Sequence, residues 1–160
     1  MTTPAASSDH QGNAVPEWHH LPPNPYNPHA WFVGDPQIGE GCWIGAFTVI
    51  DGSGGLRIGR GCDISAGAQI YSHSTVRRVI SERDQPIERA ATTIGDHVHI
   101  GAGAVVLMGA DIGDHCVIAA GAVVAQFMHV PAWSVVAGVP GVVRADAARR
   151  YAGISEVADG

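Results

Sequence analysis

Aliphatic residues recur every six positions through the second half of this chain: Ile94, Ile100, Val106, Ile112, Ile118, Val124, Val130 and Val136. No other feature restricts the fold so severely. An amphipathic helix repeats its apolar face about every 3.6 residues, and a half-buried strand about every 2. A sustained period of six fits neither and is the mark of a β-helix assembled from six-residue units. Four places after each aliphatic residue stand Val98, Ala104, Ala110, Cys116, Ala122, Met128, Ser134 and Pro140, most of them small. Gly95, Gly101 and Gly113 directly follow the aliphatic residue.

Corner geometry explains the pattern. Each unit reads as a short strand plus a turn, and three units close one triangular coil. The aliphatic residue points inward and stacks on its equivalents above and below. The residue four places on also points inward, near a corner, and must be small. Glycine at the turn is expected to relieve backbone conformations that a Cβ makes costly. Each coil touches only its neighbours, so stability accumulates by stacking.

An earlier block keeps the same period at Ile38, Ile44 and Ile50. Two extra residues in Asp51–Gly55 (DGSGG) then shift it to Ile58, Ile64, Ile70 and Val76. The two blocks together make fifteen units, or about five coils. Between Val76 and Ile94 the inward positions fall on Glu82 and Glu88. Charged groups do not line a core unpaired, so Arg77–Thr93 is expected to leave the coil as an extruded loop. Long excursions from a regular scaffold are where function concentrates. Cys42, Cys62 and Cys116 all occupy the small inward position, where a reduced thiol acts as a compact hydrophobe rather than as a metal or redox group.

Residues 1–30 hold six of the ten prolines and are expected to form a Pro-rich, partly disordered tail. His19 and His20 in it read as a solvated pair. Asn24–Ala30 is expected to run extended, laying Trp31 and Phe32 over the end of the helix as a cap. The β-helix is expected over 31–142 and a C-terminal helix and tail over 143–160, with Ala145–Ala152 covering the last coil.

A net charge of −6 and a pI near 5.8 argue against nucleic acid as a partner. All nine basic residues are Arg. No secretory pattern or apolar run of spanning length appears, so a cytoplasmic protein without membrane insertion is the expectation. The DGSGG turn lacks the Lys and Ser/Thr of a phosphate-cradling P-loop.

Ile70-Tyr71-Ser72-His73-Ser74 stands immediately before the expected loop, and Thr93–Val106 (TIGDHVHIGAGAVV) immediately after it. A His on the last repeat before an extruded loop, followed by that run, by Ile118–Val124 (IAAGAVV) and by Val136–Pro140 (VAGVP) with a nearby Arg, resembles the hexapeptide-repeat acetyltransferases. Within them the likeness is to the sugar O-acetyltransferase branch that serves galactosides, maltose and surface polysaccharides. The resemblance spans about residues 30–145. It implies an all-β fold: a left-handed parallel β-helix of about five coils with one extruded loop and a short C-terminal helix.

It also implies an acyl-CoA-dependent acetyltransferase that moves an acetyl group from acetyl-CoA, as co-substrate, to a sugar-type hydroxyl or amine, with no metal expected. His73 is then the general base of a direct transfer, a task for which imidazole, with an ordinary pKa of about 6.5, is suited at neutral pH. Hexad counting stacks Ile70 on Ile50, which puts Asp51 and Ser53 near His73, either to orient the imidazole or to bind a sugar hydroxyl. Tyr71, Arg77 and His99 complete the expected acceptor side, with His97 and His115 exposed. Where related sugar acetyltransferases carry an Asn, this chain has Ala46. Ala102 and Ala120 match positions along which the pantetheine arm runs. Ala125 and Gln126 replace a Thr-Lys pair that meets the CoA phosphates, leaving Arg144, Arg149 or Arg150 to supply positive charge.

Two other readings stand beside this one. A gamma-type carbonic anhydrase-like zinc protein shares the coil but needs two His five residues apart and a third upstream. His73, His97, His99 and His115 do not provide that spacing, though a three-His site between chains remains open. A non-catalytic repeat scaffold gains nothing from a loop beside His73. A homotrimer is expected from the resemblance, with three equivalent clefts between flat faces.

Overall fold

The computed structural model describes Leu21 and residues 23–153. The first coil consists of β1 (Trp31–Gly34), β2 (Gln37–Ile38) and β3 (Trp43–Ile44), the second of β4 (Val49–Gly52), β5 (Leu56–Ile58) and β6 (Asp63–Ile64). The third begins with β7 (Gln69–Ile70) and is interrupted by β8 (His73–Ser74), helix α1 (Val76–Ile80) and β9 (Glu88–Arg89) before β10 (Thr92–Ile94) and β11 (His99–Ile100) finish it. β12 (Val105–Val106), β13 (Asp111–Ile112) and β14 (Val117–Ile118) form the fourth, and β15 (Val123–Val124), β16 (His129–Val130) and β17 (Val135–Ala137) the fifth.

Equivalent strands stack in parallel into three sheets: β1, β4, β7, β12, β15; β2, β5, β10, β13, β16; and β3, β6, β11, β14, β17. The chain is a left-handed parallel β-helix. Ile50 pairs with Ile70, Ile70 with Val106, and Val106 with Val124, so the six-residue period becomes an in-register column through the core. The aliphatic residues from Ile44 to Ile70 and from Ile94 to Val136 are buried, as are Cys62, Ala104, Ala110, Cys116 and Ala122 in the second inward column. Burial pushes the Cys62 thiol up to about 11 and raises that of Cys116, and each donates to a carbonyl of a neighbouring coil, Gly95 at 3.2 Å and Pro131 at 3.1 Å. These thiols fill space and are poor nucleophiles.

Several expectations are corrected. Phe32, six residues before Ile38, packs against the core as the first inward residue, so β1 belongs to the coil and is not a cap. Trp31 is exposed. Asn24–Ala30 is not extended: the Asn24 side chain accepts from the N–H groups of Tyr26 and Asn27 and folds the segment into a turn that buries Ala30. Val76 leaves the period altogether, being exposed at the start of α1. Pro140 is exposed rather than inward, because after Ala137 the chain reverses and returns as β18 (Val142–Arg144), antiparallel to β17. The C-terminal helix is a 3₁₀ segment, Ala147–Ala152, with Ala148 buried and its N–H on the Trp133 carbonyl. The expected tail through residue 20, with His19 and His20, lies outside the described residues.

The repeat glycines act differently from expectation. Gly101 has an ordinary φ, but a Cβ on it would collide with the backbone of Ala119 and Ala120 on the next coil. Close approach, not a left-handed backbone, is what excludes a side chain there. Left-handed residues sit two places later, and several are not glycine: His97, His115 and Trp133.

Because each coil is held by its neighbours, truncating one inward residue opens a cavity that the rigid stack cannot close. Ile118, fully buried in the fourth coil, is expected to cost about 3 kcal/mol when changed to Ala. A denaturant titration reads this as a lower midpoint with an unchanged slope.

Candidate active site

The Asp51–Gly55 bulge and the segment between β7 and β10 leave the helix at the same corner, where the first sheet turns into the second, on successive coils. The Ile50–Ile70 register therefore sets Asp51 beside Tyr71 and brings His73 over the bulge. β8 and β9 form a two-stranded antiparallel neck, His73 opposite Arg89 and Ser74 opposite Glu88, that holds the loop at its exit. Thr92 secures the return, donating to the Tyr71 carbonyl at 2.8 Å and accepting from the Gly109 N–H at 3.0 Å.

His73 Nδ1 lies 2.6 Å from Asp51 Oδ2 and 3.3 Å from Ser53 Oγ. The Asp51 carboxylate is 1% exposed. It accepts the Ser72 N–H on Oδ2 at 2.9 Å and the Ser53 N–H on Oδ1 at 3.0 Å. Burial pushes this carboxyl upward, but the Ser53 side chain, the Ser72 and Ser53 backbone N–H groups and His73 outweigh it and hold the group at about 2, below its ordinary 3.8. An ionised carboxylate only accepts, so Nδ1 carries a proton, and in the neutral ring Nε2 is the nitrogen with the free lone pair. The His73 side chain is 32% exposed while its Nδ1 edge is anchored on Asp51.

Such a carboxylate ties stability to pH. The Asp51 pKa is lower folded than unfolded, so its contribution is complete above about pH 4 and disappears as pH falls towards 2. Across that window the wild type is expected to lose about 2 kcal/mol more stability than Asp51→Asn, measured by urea unfolding at stepped pH.

The remaining expected site residues scatter around the coil. Tyr71 meets His73 edge-on, with ring centroids 6.2 Å apart, and donates its hydroxyl to Gln69 at 2.7 Å. Arg77, on α1, lies 3.6 Å from Glu88. Ala125 and Gln126 share the His73 corner two coils further on. Gln126 lines a cavity of about 570 Å³ with Ser74, Val76, Arg77 and Ile80. Successive strand residues face opposite ways, so this cavity belongs to the Ser74 side of the neck and His73 to the other.

Ala102 and Ala120 are exposed at a different corner, between the third and first sheets, and stack through the Gly121 N–H on the Ala102 carbonyl at 2.9 Å. Ala46 stands in that same column and not beside His73, because the Gly67 N–H bonds its carbonyl. His99 is exposed on the third sheet, and Arg144 follows on β18 at the edge of that sheet. Within one chain neither joins His73. His97 is exposed as expected, but His115 is half-buried between the His97 ring (5.2 Å) and the Trp133 ring (4.2 Å), and Arg149 covers Trp133 at 5.0 Å. Among the described residues no three His, Cys, Asp or Glu side chains converge as metal ligands. Sequence reasoning missed Ser72, whose small side chain looks like any corner filler until Asp51 and Gly54 are seen to bind it.

Residues 91–126 match the bacterial transferase hexapeptide family (six repeats), and residues 37–72 match the hexapeptide repeat of succinyl-transferase. No curated protein matches the chain. Among solved structures, the N-acyltransferase AntD from Bacillus cereus, in complex with dTDP and 3-hydroxybutyryl-CoA, superposes with a TM-score of 0.64 at 19% identity over 74% of this chain and 66% of that one. A hexapeptide-repeat-containing acetyltransferase from Vibrio cholerae gives 0.60 at 30% identity, covering 67% of this chain and 60% of its own. A maltose O-acetyltransferase from Clostridium difficile gives 0.58 at 23% identity, covering 72% and 65%. The chain thus spans three-fifths to two-thirds of the length of these structures. Matched in both blocks of its repeat and in the winding of its coils, the chain is a hexapeptide-repeat protein of the left-handed β-helix type.

Proposed function

We propose that this protein transfers an acetyl group from acetyl-CoA to a hydroxyl of a sugar or surface-polysaccharide precursor, with His73 as general base. The observation that carries the reading is the His73–Asp51 pair: a partly exposed imidazole whose Nδ1 is held from behind by a buried carboxylate. The donor is inferred from the Thr93–Val106 resemblance and from the Vibrio cholerae acetyltransferase.

In the transfer, the acceptor oxygen attacks the thioester carbonyl and a new C–O bond forms. Its proton passes to His73 Nε2, the C–S bond breaks, and the thiolate of CoA recovers the proton from the imidazolium. Asp51 stabilises the imidazolium in between. Oxygen is the acceptor atom proposed, because a hydroxyl makes the fullest use of such a base. A hydroxyl attacks poorly unless it loses its proton on the way, whereas a neutral amine already carries a reactive lone pair. Ser53 and Tyr71, beside His73, are assigned to the acceptor, Arg77 to a part of it that extends past the Ser74 side of the neck, and His99 joins them from a neighbouring copy. Ala102 and Ala120 offer a smooth track for the pantetheine arm, with Ala125, Gln126 and Arg144 further along it.

A homotrimer is part of this proposal. The outward row of the first sheet is Trp31, Val49, Gln69, Val105 and Val123, whereas that of the second is Gln37, Arg57, Thr93, Asp111 and His129. An apolar face of that length favours cover by another copy, and the His73 corner forms its rim.

The test uses labelled acetyl-CoA with matched hydroxyl- and amino-sugar acceptors, followed by alkaline hydroxylamine on the product freed of donor. An ester product, cleaved by hydroxylamine, is expected. A hydroxylamine-resistant amide from the amino-sugar alone would contradict oxygen transfer, and no labelled product from either would contradict acetyl transfer.

A further inference from the structure

We infer that Ser72 is a positioning residue: its hydroxyl latches the Asp51–Gly55 bulge to the neck of the loop and thereby holds the Asp51 carboxylate where it sets the tautomer of His73. This rests on the reading of His73 as the base. Ser72 is fully buried. Its hydroxyl donates to the Asp51 carbonyl at 2.7 Å and accepts from the Gly54 N–H at 2.8 Å, while its own N–H reaches Asp51 Oδ2 at 2.9 Å. One side chain thus ties Asp51 to Gly54 across the bulge, adding to the β1 pairing of Asp51 and Gly52 a link that reaches the neck of the loop. The fit is mutual, since a Cβ at Gly54 would collide with the Ser72 carbonyl.

Packing alone does not call for this hydroxyl. The position equivalent to Ser72 on the next coil is Met108, which is also buried, so the corner accepts an apolar side chain. What differs is the neighbour below: only on the Ser72 coil does a buried carboxylate stand there, and it needs its backbone fixed to point at a ring nitrogen. Without the hydroxyl, the Asp51 carbonyl and the Gly54 N–H lose their partner. The bulge then loosens, and the carboxylate, left with the Ser72 and Ser53 N–H groups, holds Nδ1 only part of the time.

The experiment is ¹⁵N long-range NMR of the His73 ring in the full chain, comparing wild type with Ser72→Ala and with Ser72→Cys, which keeps a side chain at the corner but weakens the hydrogen bonds. Thermal midpoints are recorded in parallel. The wild type is expected to show the single Nδ1–H tautomer and both variants a mixture. With an acceptor in hand, kcat is expected to fall about 10- to 100-fold with KM for acetyl-CoA unchanged, and Ser72→Ala is expected to add little in an Asp51→Asn background. A single Nδ1–H tautomer retained in both variants, whatever happens to the midpoint, would overturn the inference. Mixed tautomers in a protein that acetylates nothing would uphold the latch and refute the acetyltransferase reading, so the two failures are distinguishable.

Discussion

Replacing His73 with alanine is expected to cut acetyl-CoA turnover with a sugar acceptor by at least about 10²-fold, the usual contribution of a positioned general base. The effect belongs in kcat, because Nε2 interacts with a proton that moves only in the transition state. KM for acetyl-CoA is expected to stay within about twofold, since binding shared by ground and transition states is untouched. The fold is expected to survive, with the ring partly exposed and outside the core. Free-thiol release under saturating donor, with circular dichroism and a thermal scan alongside, checks each part. A variant with full activity would remove His73 from the chemistry. A variant that is inactive because it has unfolded would register in the thermal scan.

Asp51→Asn is expected to cost on the order of 10³-fold in kcat, more than its modest change of shape suggests. The amide has the size of the carboxylate but presents a donor as well as an acceptor. With –NH₂ turned to His73, Nδ1 becomes the acceptor and the proton moves to Nε2, the atom that has to take the acceptor's proton. The variant also lacks the negative charge that stabilises the imidazolium. Combining it with His73→Ala is expected to cost little beyond the greater single loss, because the two act as one unit. Additive losses on the logarithmic scale would mean that Asp51 serves the reaction by another route. In that event the 2.6 Å contact would be structural only.

The coil and the pairing of Asp51 with His73 both emerge from counting sixes, because the period fixes register as well as fold. Once Ile50 and Ile70 are recognised as stacked, the DGSGG bulge and the IYSHS segment must share a corner. Counting fails where its premise does. Val76 has the right spacing and the right chemistry, but a residue past the exit point no longer senses the coil, and it turns outward in a helix. Phe32 was hidden for the opposite reason. It has the spacing but not the aliphatic character, since the first coil has a neighbour on one side only and tolerates a larger ring. The reversal into β18 has no signature in the period, because antiparallel pairing after the last coil depends on the turn at Gly138–Gly141. Ser72 and Gly54 went unremarked since their importance lies in a contact between two departures from the repeat.

The placement of the expected donor residues carries a physical message of its own. Ala102 and Ala120 flank one edge of the first sheet, and Gln126 and His73 the other. A ligand that uses both edges has to lie across or beside this apolar face. His99 and Arg144 lie on the third sheet, away from the His73 edge, and the proposal brings His99 to His73 from a second copy. The proposed trimer and the proposed site thus stand together, and an active monomer would contradict both the shared cleft and the assignment of His99.

The most direct measurement is thiol release from acetyl-CoA by the wild-type chain, with and without a panel of free, nucleotide-linked and lipid-linked sugars, accompanied by calorimetric titration of CoA. Acetyl transfer predicts saturable CoA binding, and thiol release that is slow alone and accelerates with an acceptor, one acetylated sugar for each thiol. Absence of CoA binding together with absence of acceptor-dependent release would contradict it, and would leave the coil as a scaffold whose His73–Asp51 pair serves no transfer.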